Sequence, residues 1–154
     1  MLAGPSNRTP AGLAAHERYR LREMINRLRI SSNPVPLVRS WLTKRADRVE
    51  LSCAEGDLRD LALDGRIIRS GISDPRSGMS AGSELECYVM MPDLLALKAE
   101  YLLVPPVRPN VYLHVSPRHL QEVPLILVAA DLADHHGARE NSQAEKLLKE
   151  ALWP

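Results

Sequence analysis

The sequence predicts an α+β fold: a winged helix of three helices and a β-hairpin, followed by a small C-terminal α/β module. Three observations carry this expectation. Residues 52–91 read as a short capped helix, a β-like segment, a long polar loop and a second β-like segment, which is the order found in the second half of a winged helix. Ahead of them, apolar residues recur twice at helical spacing. Behind them, an alternating apolar run is followed by two further helical patterns.

Taken in order, residues 1–12 are rich in Gly, Pro, Ser and Asn and are expected to be a disordered tail. Leu21, Met24, Ile25 and Leu28 fall at i, i+3, i+4 and i+7, so residues 16–29 should form an amphipathic helix. Its other positions include Arg18, Arg20, Arg22, Arg27 and Arg29. Residues 31–34 break that helix, because the residue before a proline is pushed out of helical geometry. A second helix is expected from near Pro36, burying Leu37, Val38, Trp41 and Leu42 and leaving Arg39, Lys44 and Arg45 outward.

Ser52 and Glu55 have the spacing of a capping box, which predicts a third helix with Leu58, Leu61 and Ala62 on its apolar face and Gly65 as the left-handed residue that closes it. The hydrophobic faces of all three helices should then converge on one small core. Segments 66–72 and 85–91 follow as the two strands, joined by a polar loop whose single large apolar residue is Met79. In the second strand Leu85, Cys87, Val89 and Met91 alternate with Glu86, Tyr88 and Met90, as a half-buried strand requires.

Pro92 and Asp93 then start a Leu-rich helix, and Pro105, Pro106 and Pro109 read as an extended linker. Residues 110–115 alternate as a strand, residues 124–136 form an apolar helix closed by Gly137, and residues 139–152 form an amphipathic helix through Ala144, Leu147, Leu148 and Ala151. The expected division is a tail at 1–12, a winged-helix domain at 13–91 and a helix-strand-helix module at 92–154.

A chain of 154 residues suits one domain or two small ones. It contains no Phe, so Leu, Ile, Val and Met must fill the core. Cys53 and Cys87 lack Cys-x-x-Cys spacing, which points to reduced thiols rather than to a metal site or a disulfide framework. Residues 123–130, the most apolar stretch, are too short to span a bilayer, and the start shows no signal-peptide pattern. The expected location is the cytoplasm, away from any membrane.

The net charge of +1 conceals an asymmetry: residues 1–50 balance to +6 and residues 51–154 to −5. A basic front suits contact with a polyanion, although a solvated basic helix has the same composition.

Motifs for chemistry are absent: no Gly-x-Gly-x-x-Gly, no P-loop, no Gly-x-Ser-x-Gly and no His-Glu-x-x-His. Asp131 and His135 share a helix face with His136 adjacent, but no further ligands are evident and histidine is favoured near a helix C-terminus by the dipole alone. His114 and His119 read as strand or surface residues, and Cys53 reads as a small buried residue without an identifiable base. The expectation is therefore a non-enzyme with no cofactor and no metal.

A winged helix would place the third helix in the major groove of double-stranded DNA and the following loop near the backbone. Arg59, Arg66, Arg69 and Arg76 are the expected DNA contacts, with Arg39, Lys44 and Arg45 positioning phosphates. The third helix also carries Glu55, Asp57, Asp60 and Asp64, which repel phosphate. Either those acids turn away from DNA, or this winged helix serves protein contact. Operators read by winged helices often match a two-fold dimer, so a homodimer is expected with the first reading.

The run LRDLALDGRIIRSGISDPRSG, the helix ending in YLLV, the strand NVYLHV and the segment VAADLADHHGARENSQAEKLL resemble actinobacterial winged helix-turn-helix regulators, among them antitoxins of the abortive-infection, type IV class. The similarity spans about two thirds of the chain, from Leu51 on. It implies a DNA-binding repressor of its own operon, joined to a C-terminal module and partnered with a nucleotidyltransferase-like toxin encoded nearby. The alternative from another class is a protein-interaction module that binds a toxin or a sister subunit without touching DNA.

Overall fold

The computed structural model describes residues 12–153, so the expected tail, apart from Gly12, lies outside the described residues. The chain is α+β, with helices α1 (Ala15–Ile30), α2 (Pro34–Trp41), α3 (Glu55–Ala62), α4 (Met91–Glu100), α5 (Leu125–Ala133) and α6 (Ala138–Leu152). Strands β1 (Asp47–Leu51), β2 (Ile68–Arg69), β3 (Leu85–Met90) and β4 (Val111–Ser116) form one mixed sheet in the order β1-β4-β3-β2. Among the described residues, no helix is long and apolar enough to cross a membrane.

Two compact units divide the described residues, 12–42 with 124–153 and 43–123. The three helices expected to share one core are split between them: α1 and α2 belong with α5 and α6, whereas α3 belongs with the sheet. The expected boundary after residue 91 falls inside the second unit. There β3 pairs along its full length with β4, in parallel, from Leu85 opposite Val111 to Met90 opposite Ser116.

In the helical unit, α5 packs on α6 and α2 packs on both. Pro34 opens α2 two residues earlier than expected, in a first turn where its missing N–H costs nothing. Val38 and Leu42 are buried as expected, with Leu37 and Trp41 half-buried. Only Leu28 of α1 is buried, and Arg18, Arg20, Arg22, Arg27 and Arg29 are all exposed. The Arg27 guanidinium stacks 5.4 Å from the Trp41 ring centroid, and Arg29 Nε donates to the Leu152 carbonyl at 3.2 Å. Between α5 and α6 the left-handed residue is His136, at φ 58°, while Gly137 is extended at φ −80° and caps α6.

The sheet unit has a core of Leu51, Leu58, Leu61, Leu85, Cys87, Val89, Leu94, Leu97, Leu113 and Val115 with their neighbours. Strand β1 was not legible, because Asp47, Arg48 and Glu50 are charged and exposed on a strand that buries only Leu51 fully. It pairs antiparallel with β4, Val49 opposite Leu113. Ser52 does not cap α3. It continues β1 into a bridge with Val104, exchanging both backbone hydrogen bonds, and its hydroxyl donates to the Arg108 carbonyl at 2.9 Å. Helix α3 starts from Ala54 without a side-chain cap and ends at Leu63, so Gly65 does not close it in a left-handed conformation.

The first β-like segment shrinks to Ile68–Arg69, paired antiparallel with Cys87 and Tyr88, and then gives way to two 3₁₀ turns at Gly71–Ser73 and Pro75–Ser77. Strand β3 is not half-buried. As a central strand it is covered on both faces, and Leu85, Glu86, Cys87, Tyr88 and Val89 are all buried, while Met91 is the exposed first residue of α4.

Candidate functional site

The cations expected to meet DNA are distributed over both units, Arg39 in the helical one and Lys44, Arg45, Arg59, Arg66, Arg69 and Arg76 in the sheet unit. Within the helical unit, Arg39 Nη1 lies 3.1 Å from His136 Nδ1. Lys44 is exposed, and Arg45 Nε donates to the Tyr88 hydroxyl at 3.3 Å.

Arg66 leaves α3 through a turn whose geometry Asp64 sets, its carboxylate accepting the Arg66 backbone N–H at 2.9 Å. The guanidinium is gripped in two bidentate pairs: Nε and Nη2 to Asp64 at 2.9 and 2.8 Å, Nη1 and Nη2 to Glu100 at 2.9 and 2.5 Å. The Tyr101 hydroxyl adds a hydrogen bond to Asp64 at 2.9 Å. Hydrogen bonds from Arg66 hold the Asp64 carboxyl well below the usual carboxylate range, and the Arg66 guanidinium is pushed up by the same two carboxylates. Planar pairs of this kind fix the guanidinium in direction as well as in charge.

Arg76 is held likewise. Asp74 caps the short turn by accepting the Arg76 backbone N–H at 2.8 Å and receives Nε and Nη2 at 3.0 and 2.8 Å. Nη2 also donates to the Val123 carbonyl at 2.6 Å, and Nη1 reaches Glu122 at 3.3 Å. Two of the four expected base or backbone contacts are thus anchors of the loop they sit on.

Arg59 on α3 and Arg69 on β2 are exposed, and among the described residues neither side chain makes a hydrogen bond or ion pair. They flank a groove between α3 and the 70–84 loop, floored by Leu58, Ala62, Ile72 and Met79. Three of the four acids expected on this helix face solvent, and Asp64 is the one that pairs with Arg66. Glu55, Asp57 and Asp60 are exposed, Leu63 beside them is 77% exposed, and Leu58 and Leu61 face the core.

Sequence reasoning missed a polar pair inside the sheet. Glu86 and His114 occupy neighbouring strands and are 0% and 1% exposed, with Oε1 and Nε2 2.8 Å apart. Glu86 Oε2 accepts the Ile72 N–H at 3.0 Å, and Tyr88 stacks on the His114 ring at 4.9 Å between centroids. The signal was an acidic residue on a strand whose neighbouring residues are apolar or aromatic, read as solvent-facing because alternation was assumed. Burial, and secondarily the charge of Asp57, pushes the Cys53 thiol up. The fully buried Cys87 thiol is pushed up further by desolvation, so neither is poised as a nucleophile.

No family model, no curated protein and no solved structure matches the chain.

Proposed function

We propose that the chain is the protein-binding part of an antitoxin-type regulator, docking a basic surface of a toxin or sister subunit through the outer face of α3. The observation that carries this reading is the exposed triad Glu55, Asp57 and Asp60 beside the exposed Leu63. Laid in a major groove, those carboxylates would face phosphates of the same sign, and like charges held together in a desolvated interface repel strongly enough to suppress binding. Facing a basic protein surface, the same charges steer association, and Leu63, at the C-terminal end of α3, adds exposed apolar area. The internal ion pairs of Arg66 and Arg76 support the same choice, because a guanidinium held by carboxylates has little to gain from phosphate. In this reading α3, β2 and β3 keep the helix, strand, loop and strand order of a winged helix and use it for protein contact.

A second reading, a DNA-binding repressor, is favoured by one specific observation: the five arginines of α1 are exposed, and Arg59 and Arg69 make no internal pair. Labelled duplex titrated with the full chain at low and at physiological salt separates the two. Docking predicts no duplex binding even at low salt, and gain of weak binding in an E55Q/D57N/D60N variant. It further predicts that the product of a neighbouring nucleotidyltransferase-like gene is retained by the wild type and released by that variant. Steeply salt-dependent duplex binding that R59A/R69A weakens across all sequences would establish the repressor instead.

A further inference from the structure

We propose that the pocket at the C-terminal ends of β3 and β4 binds a small hydroxylated phosphate, on the scale of a sugar phosphate. The two strands are parallel neighbours joined through α4, so both end on the same edge of the sheet. One chain leaves into a helix and the other into a loop. That divergence opens a crevice beyond the carboxyl ends of the parallel pair, the position at which parallel α/β sheets hold their ligands. The crevice encloses about 260 Å³, just under the range of pockets for drug-sized molecules, and Arg66, Asp93, Ser116, Arg118 and His119 are among its lining.

Their chemistry selects the ligand. Arg66 is already neutralised by Asp64 and Glu100 and serves as wall. Arg118 and His119 are different: both are exposed, and among the described residues neither side chain has a hydrogen-bond or ion-pair partner. The loop that carries them is fixed by Ser116, whose hydroxyl donates to the Arg118 carbonyl at 2.7 Å and accepts the Arg118 N–H at 3.2 Å. A guanidinium and an imidazole on adjacent residues suit one phosphate group. Asp93 stands in the first turn of α4, where its charge already complements the helix dipole, so the phosphate is held by side chains rather than by the helix end. An acceptor-only carboxylate in the same crevice calls for a ligand that also brings hydroxyl donors. These residues are distinct from the α3 face, so failure here would leave the docking reading standing, and the reverse.

The test is an amide chemical-shift titration of the full chain with ribose 5-phosphate, ribose and inorganic phosphate. Ribose 5-phosphate should move the amides of Gly65, Val89, Asp93 and His119 with a dissociation constant of high micromolar to millimolar. Inorganic phosphate should bind about tenfold more weakly and ribose not at all. R118Q/H119Q should lose at least about tenfold in affinity for both phosphates, whereas D93N should weaken the sugar phosphate and leave inorganic phosphate unchanged. Unmoved pocket amides, shifts confined to the α1 arginines, or equal binding by R118Q/H119Q would overturn the assignment.

Discussion

Replacing Gly71 by alanine should destabilise the sheet unit by about 2–5 kcal/mol, the sum of two separate costs. Gly71 has φ 50°, and an L-residue held there loses roughly 1–2 kcal/mol. An added Cβ would also overlap the Glu86 carboxylate. That carboxylate is wholly buried, accepts the Ile72 N–H and lies within hydrogen-bond distance of His114 Nε2. Displacing it leaves buried polar groups without partners, at about 1–3 kcal/mol. Against a typical total of about 5–15 kcal/mol this is a large share. Urea unfolding followed by circular dichroism, with amide exchange at Cys87 and Leu113 to report the sheet directly, measures it. Gly56→Ala serves as the internal control. Gly56 is an exposed first-turn position of α3 with open space around it, so alanine should stabilise, by less than the roughly 0.8–1 kcal/mol of a helix interior. A Gly71→Ala loss below about 1 kcal/mol would show that the carboxylate can move aside freely, and the account of a tightly fitted buried pair would fail.

Two further outcomes follow from the same structure. The Asp64 carboxyl is held below its value in the unfolded chain, about 3.9, chiefly by hydrogen bonds from Arg66; its stabilisation is complete above that value and is lost as pH falls through the folded one. Asp64→Asn should therefore be less stable than the wild type at neutral pH and should lose less stability on acidification below about pH 4, and parallel acid-unfolding curves would refute this. Because burial raises both thiols, a colorimetric disulfide reagent should find Cys53 and Cys87 unreactive in the native chain and fully reactive in denaturant, and rapid native labelling of Cys87 would contradict its burial.

The helices were legible because their apolar residues recur at helical spacing over whole turns: α1, α2, α4, α5 and α6 each stand within a few residues of the expected place. Strand β4 was legible for the analogous reason, through Val111, Leu113 and Val115. What escaped is non-local. Nothing in the charged Asp47–Leu51 segment announces a strand, because the pairing that makes it one is supplied by β4, some sixty residues on. The Ser52 hydroxyl had two uses open to it, and the bridge with Val104 outcompeted the helix cap. The candidate cations show the same limit. Composition marks an arginine as a donor, but whether it meets solvent or a carboxylate two residues away, as Arg66 and Arg76 do, depends on a turn conformation that periodicity does not encode.

The helical unit is assembled from the two ends of the described chain, while residues 43–123 form the other unit between them. On the ribosome, then, the inner unit is fully synthesised before α5 and α6 exist. Helices α1 and α2 must wait, with Val35, Val38 and Leu42 uncovered, until some eighty residues have been added. A chain truncated near residue 123 would leave α2 without the helices it packs on, so premature termination should yield aggregates recruited through the uncovered side chains of α2.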